Sequence, residues 1–164
     1  MLKPLLENLL TRTSNPSDHQ KIIGVQNEWW GGRDLTFLLP RLFLDHFFNT
    51  SFVIEKDDEF IAFLIGFLSP AKTTEGYIHF AGVHPNYRSM GIGNNLYHQF
   101  FSLCLESGRD TVRACTSPEN KKSIEFHKKL GFQILPGNGK NEDVAVTLDY
   151  NRPNDPKVLF EITL

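Results

Sequence analysis

The 164-residue chain is long enough for one domain that buries about 70% of the surface its unfolded form would expose, so neither disulfides nor a structural metal are needed for folding. Seventeen Lys and Arg against nineteen Asp and Glu leave a net charge of −2, which gives no general attraction to nucleic acid or to an anionic membrane. Charges or turns interrupt every apolar run well before the ~18 residues a membrane span requires. Cys104 and Cys115 fall in segments that read as buried helix and strand, and an N-terminus with Lys3, Glu7 and Arg12 lacks a signal-peptide core, so a cytoplasmic location is expected.

Leu9–Thr13 predicts a first strand. Ser14-Asn15-Pro16-Ser17-Asp18 combines capping side chains with a proline near the first helical position, and a helix is expected from there toward Trp30. Gly31-Gly32-Arg33 breaks it, and a helical period through Leu38, Leu42, Asp45 and Phe48 predicts a second helix over 35–48, with Pro40 in an early turn or at a kink. Phe52–Glu55, the polar turn Lys56-Asp57-Asp58-Glu59 and Phe60–Leu68 read as an antiparallel hairpin whose second arm is apolar on both faces, hence central in a sheet. Gly76–Val83 is a further strand. A helix from about Gly93 to Leu105 turns Leu96, Phe100, Leu103 and Cys104 to one side and ends before Gly108. Thr111–Thr116 predicts a strand, Asn120 opens a helix to Leu130 capped by Gly131, and Phe132–Ile134, Val144–Leu148 and Val158–Leu164 complete the sheet. No linker, repeat or low-complexity stretch divides 1–164, so one mixed α/β domain with helices on a largely antiparallel sheet is expected.

The densest chemistry lies at Val83-His84-Pro85-Asn86-Tyr87-Arg88-Ser89-Met90-Gly91-Ile92-Gly93-Asn94, where an apolar strand runs into a glycine-spaced turn and a helix begins. Gly91 and Gly93 remove side chains that would hold a phosphate away from the backbone, N–H groups at the helix start point at the anion, and Arg88 can add a charge-assisted hydrogen bond. The alternative is a plain tight connection. No cysteine pair or carboxylate cluster has metal-ligand spacing, and six scattered histidines do not replace one, so no metal is expected.

Arg88-Ser89-Met90-Gly91-Ile92-Gly93, with Val83-His84-Pro85 before it, and the helix Asn120–Phe132 ending in Lys129-Leu130-Gly131-Phe132 together resemble the GNAT superfamily of acyl-CoA-dependent N-acyltransferases, as does the order of elements. The resemblance implies a GNAT-like fold splayed at the donor site, acetyl-CoA as co-substrate, and transfer of its acetyl group directly to an amine. It implies that the CoA pyrophosphate lies on Arg88, Ser89, Met90, Gly91, Ile92, Gly93 and Asn94, that the pantetheine runs along Gly82 and Val83, and that Asn120, Ser123 and His127 belong to the donor site. A backbone N–H at a bulge near Gly82 would stabilise negative charge on the reacting carbonyl oxygen. His127 stands where the family usually has a tyrosine proton donor, so it could donate a proton, touch the sulfur or be structural. His79, at a position where the arylalkylamine acetyltransferase branch carries a catalytic histidine, and Tyr77 on the same strand face are candidates for the base. Trp29, Trp30 and Arg33 sit where the acceptor is usually walled, aromatic faces suiting an amine and Arg33 a carboxylate; core packing of the tryptophans is the alternative. The competing function is a non-catalytic acyl-CoA-binding or regulatory module, and a homodimer is compatible with this fold.

Overall fold

The computed structural model describes residues 7–164, so the expectation drawn on Lys3 lies outside the described residues. The chain forms two compact units, one made of residues up to Phe67 together with His79–Leu103, the other of Leu68–Ile78 together with Cys104–Leu164.

In the first unit, strand β1 (Leu9–Thr13) is followed by helix α1 (Asp18–Trp29), a 3-10 turn (Thr36–Leu38), the short helix α2 (Leu42–His46), a second 3-10 turn (Phe48–Thr50) and the hairpin β2 (Phe52–Lys56) and β3 (Glu59–Leu68). Strand order here is β1-β2-β3-β4, where β4 is Glu75–Val83 and contributes its last five residues to this unit. Helix α1 turns Asp18, Ile22, Gln26 and Trp29 inward at a spacing of three and four. Asp18 is fully buried because Arg12 reaches it with two donors at 2.9 Å while also binding Glu55, which Lys21 contacts at 2.8 Å; the helix start is thereby tied to β1 and β2. Ile22, Trp29, Leu39, Leu44, Val53, Phe63 and Ile65 form the core. The expected helix over 35–48 is not continuous. Leu39 adopts φ −125° and ψ 71°, outside the helical region, as a residue before proline is sterically pushed to do, and Pro40 supplies no N–H, so the segment breaks into two 3-10 turns around one short helix.

The second unit has strand order β4-β5-β9-β6, with β5 (Thr111–Thr116) parallel to the first four residues of β4 and antiparallel to β9 (Val158–Thr163), itself antiparallel to β6 (Gln133–Ile134). Arg113 bridges its neighbours Glu75, at 3.1 Å, and Glu161, at 2.6 Å, across the three strands. Helix α3 (Ile92–Glu106) ends in this unit at Gly108, whose φ of +71° fits a helix stop, and helix α4 (Lys121–Lys129) ends at Gly131 with φ +97°. Of the segment Val144–Leu148 expected to extend the sheet, Thr147 makes an antiparallel bridge with Lys157, just before β9, while the strand itself does not join. Instead β8 (Val144–Val146) pairs with β7 (Gly139–Asn141), because Glu142, at φ +52°, lets Glu142-Asp143 turn the chain straight back on itself.

The molecule is therefore a mixed α/β fold with helices and a largely antiparallel sheet, as expected. No helix among the described residues is long and apolar enough to cross a membrane.

Candidate active site

The glycine loop lies in the first unit. After β4 a 3-10 turn (Pro85–Tyr87) is closed by His84, whose Nδ1 accepts the Asn86 N–H, and the chain then passes through two left-handed residues, Ser89 at φ +62° and Gly91 at φ +82°. Helix α3 starts at once: the Asn95 N–H donates to Gly91 O at 2.9 Å, so the N–H groups of Ile92, Gly93 and Asn94 precede the first helical bond. Arg88, Ser89, Gly91 and Asn94 are exposed, and a Cβ built on Gly91 would meet nothing within 4 Å. A left-handed turn feeding a 15-residue helix, with open space over its glycine, is a cradle that suits a pyrophosphate. These residues fit acetyl-CoA's charged end. The Arg88 guanidinium meets the protein's own carbonyls, its Nε donating to Val83 O at 3.0 Å and its Nη2 to Trp29 O.

Gly82 also has a reason that sequence reading missed. A Cβ there would stand 2.4 Å from Trp30 Cη2 and 2.8 Å from Phe63 Cε1, so the absent side chain makes room for the Trp30 indole to lie on β4. Close packing is the requirement that the structure shows at Gly82. Trp30 is half-buried and packs 5.2 Å from Phe80, whereas Trp29 is 2% exposed among Phe60, Phe63 and His84. Trp29 is thus a core residue with no surface for an acceptor, a correction to the expected pair. Arg33 is exposed, two left-handed glycines beyond Trp30.

His79 is half-buried on β4. Its Nε2 donates to Leu38 O, and its ring stacks on Phe43 with centroids 4.0 Å apart and planes within 4°. Burial pushes its pKa below the ordinary histidine value, so the ring is neutral at pH 7 with its lone pair on Nδ1. Phe43 and Leu38 fix this geometry, a role that the helical period alone does not reveal. Tyr77 lies in the second unit. Burial, together with Cys115 and Tyr150, holds its phenol well above the ordinary tyrosine range, which favours the protonated form and weighs against the expected role as base.

The other half of the expected set is on α4 in the second unit. Asn120 is the N-cap, its Oδ1 accepting the Ser123 N–H at 3.2 Å, so its side chain is engaged in starting the helix. His127 is 4% exposed. Its Nδ1 donates to Ser123 O at 2.7 Å, with Ser123 Oγ at 3.3 Å, and its ring stacks on Phe160 at 4.3 Å and 4°, edge-on to Phe126 and Phe132. Burial lowers its pKa, and a neutral imidazole has a single N–H, which here is committed to Ser123 O. This geometry weighs against the expected proton-donor role and for packing. Among the described residues no group of three or more His, Cys, Asp or Glu could hold a metal ion.

Comparison with known proteins agrees with this architecture. The chain is 28% identical over 101 residues, 59% of its length, to the L-2,4-diaminobutyric acid acetyltransferase of Virgibacillus pantothenticus, and 39% identical over 56 residues, 34% of its length, to an uncharacterized N-acetyltransferase of Methanocaldococcus jannaschii. The matches span 64% and 25% of those relatives' own lengths. Ard1 from Thermoplasma volcanium shares the fold at a TM-score of 0.76 and 23% identity, over 96% of this chain and 98% of that one. Arabidopsis thaliana Naa50, solved in complex with the bisubstrate analogue CoA-Ac-MVNAL, does so at 0.73 and 15%, over 96% and 99%. The profile of the acetyltransferase (GNAT) family matches residues 12–132, and the chain belongs to that family.

Proposed function

We propose that residues 1–164 form one cytoplasmic N-acetyltransferase domain that moves an acetyl group from acetyl-CoA directly to a primary amine. The observation that carries the reading is the loop from Arg88 to Asn94, where Ser89 and Gly91 turn left-handed into the start of a 15-residue helix with open space above Gly91. Acetyl-CoA supplies a thioester carbonyl activated toward amines. The N–H groups of Ser89 to Asn94 hold its pyrophosphate, and the backbone of Gly82 and Val83 lies alongside the pantetheine. His79, neutral by burial and oriented by its bond to Leu38 O, takes the amine proton on Nδ1. A C–N bond forms, the C–S bond breaks, and CoA leaves as the thiol, its proton coming from solvent in this reading, which the commitment of the His127 N–H to Ser123 O supports.

Trp30 and Arg33 flank the acceptor in this reading. The named relatives suggest two amines to try first, diaminobutyric acid, whose carboxylate Arg33 suits, and a peptide N-terminus. The enclosure of His127 favours one second reading, an acyl-CoA-binding module without turnover.

Ligand linkage tests the donor site that both readings share. Purified protein is heated with acetyl-CoA, CoA, longer acyl-CoAs, ATP and NAD. Acetyl-CoA is expected to raise the Tm, and Gly91→Glu, which puts a carboxylate where the pyrophosphate binds, is expected to abolish the shift, a loss of about 100-fold or more in affinity. CoA release with an amine panel then distinguishes the enzyme from the module. No shift with any CoA species overturns both.

A further inference from the structure

Arg88 opens the phosphate loop, yet its guanidinium is turned toward the end of α1. Trp29 is the last residue of that helix, and its carbonyl is one of those a helix end leaves without an intrahelical donor. The N–H groups beyond it go elsewhere: Trp30 donates to Gln26 O, Gly31 to Glu28 O, Gly32 to Asn27 O and Arg33 to Trp30 O. Arg88 Nη2 donates to Trp29 O, and the same guanidinium's Nε donates to Val83 O, the last residue of β4. The cation therefore faces the negative end of the α1 dipole while it ties the helix to the strand.

Immediately after the tied carbonyl comes Trp30, whose ring occupies the space over Gly82, and after it Gly31 and Gly32, at φ +65° and +86°, lead to exposed Arg33. Two consecutive left-handed glycines give this stretch little conformational restraint of its own. Gly31, Gly32 and Arg33 donate back to Glu28, Asn27 and Trp30, and the Trp30 ring over Gly82 and the Trp29 carbonyl on Arg88 join the segment to β4 and the loop that follows it.

We propose that Arg88 is a positioning residue for the acceptor: a clamp that sets the Trp30–Arg33 segment against β4 and so makes the loop that receives the donor's pyrophosphate also fix the wall that meets the amine. The proposal rests on the transferase reading above. It differs from a phosphate-ligand role in what each part of the substrate pair should sense. A planar fork spans two carbonyls of different elements; a lysine ammonium keeps the charge but not the fork.

The test uses Arg88→Gln and Arg88→Lys with two donors, acetyl-CoA and S-acetylpantetheine, which has no pyrophosphate. The clamp predicts that both variants raise KM for the amine about tenfold, the weight of one charge-assisted hydrogen bond, with either donor, while the Kd of acetyl-CoA stays within about twofold. It also predicts faster amide hydrogen exchange at 31–35 in both variants, with α3 unchanged. The clamp is overturned if acetyl-CoA binding weakens in Arg88→Gln, Arg88→Lys restores it, S-acetylpantetheine kinetics are unaltered and exchange at 31–35 is that of the wild type. If the wild-type protein acetylates no amine, the transferase reading falls, and exchange at 31–35 still decides the clamp.

Discussion

His79 in the first unit stacks on Phe43 with centroids 4.0 Å apart, and His127 in the second stacks on Phe160 at 4.3 Å, each pair within 4° of parallel. Each ring donates one N–H to a backbone carbonyl, and burial pushes both pKa values below the ordinary histidine range. The carbonyls differ. Ser123 O lies one turn back on the same helix, so His127 is held by its own element and enclosed by Phe126, Phe132 and Phe160. Leu38 O comes from the 3-10 turn on another part of the chain, so the bond from His79 orients the ring and at the same time fastens that turn to β4. His79 keeps some exposure and His127 almost none. Stacking and neutrality are common to both rings; what separates them is the access that a base would need.

The largest effect expected from this difference is on stability. His127→Ala empties a site walled by three phenylalanines and removes the donor to Ser123 O, which should cost about 2–4 kcal/mol in urea unfolding. The rate per folded molecule should change by less than about threefold. A fall in kcat of about 100-fold with unaltered urea midpoint would make His127 the proton donor after all. The counterpart, His79→Gln, should lower kcat about 10–100-fold at pH values where the wild-type ring is neutral, the difference shrinking as acid protonates His79 in the wild type, and leave acetyl-CoA affinity intact. An unchanged pH–rate profile would remove His79 from the chemistry. Between these in scope is Gly82→Ala, whose methyl would press on Trp30 and Phe63 and should destabilise by about 1–3 kcal/mol, read as a lowered Tm.

Most of the fold was legible because local signals and tertiary packing agree in it. The strand at Leu9–Thr13, the hairpin Phe52–Leu68 and the caps at Asn120, Gly108 and Gly131 are stated by the residues themselves. Pro40 is visible too, but its effect is larger than a kink: the residue before it leaves the helical region and divides the segment. Val144–Val146 looks like any short apolar strand, and only the turn at Glu142 decides that it pairs with Gly139–Asn141. In the site, the glycine loop was readable because backbone conformation is written in glycine and helix-start residues. Contacts between segments far apart in the chain were not. Nothing near Gly82 announces Trp30, nothing near His79 announces Phe43 and Leu38, and nothing in Arg88 shows that its fork reaches back to Trp29.

The smallest expected effect bears on both histidines at once. Each has an ordinary pKa of 6.5 when unfolded and a lower one when folded, so over the interval between the two values the unfolded chain binds protons that the native chain does not. Stability must then rise with pH across that interval, be fully present above about pH 6.5 and be lost as acid protonates rings that the folded protein keeps neutral. Glu55 also has a lowered pKa, from Arg12 and Lys21, but its contribution is lost only below its ordinary value of 4.5, in a separate window. Urea unfolding at pH 7.5 and 5.5 should therefore differ, with the acid sample weaker. His79→Gln should remove one part of that difference and His127→Ala the other. If the difference survives in both variants, the two rings are not neutral by burial, and the distinction between an accessible and an enclosed imidazole loses its basis.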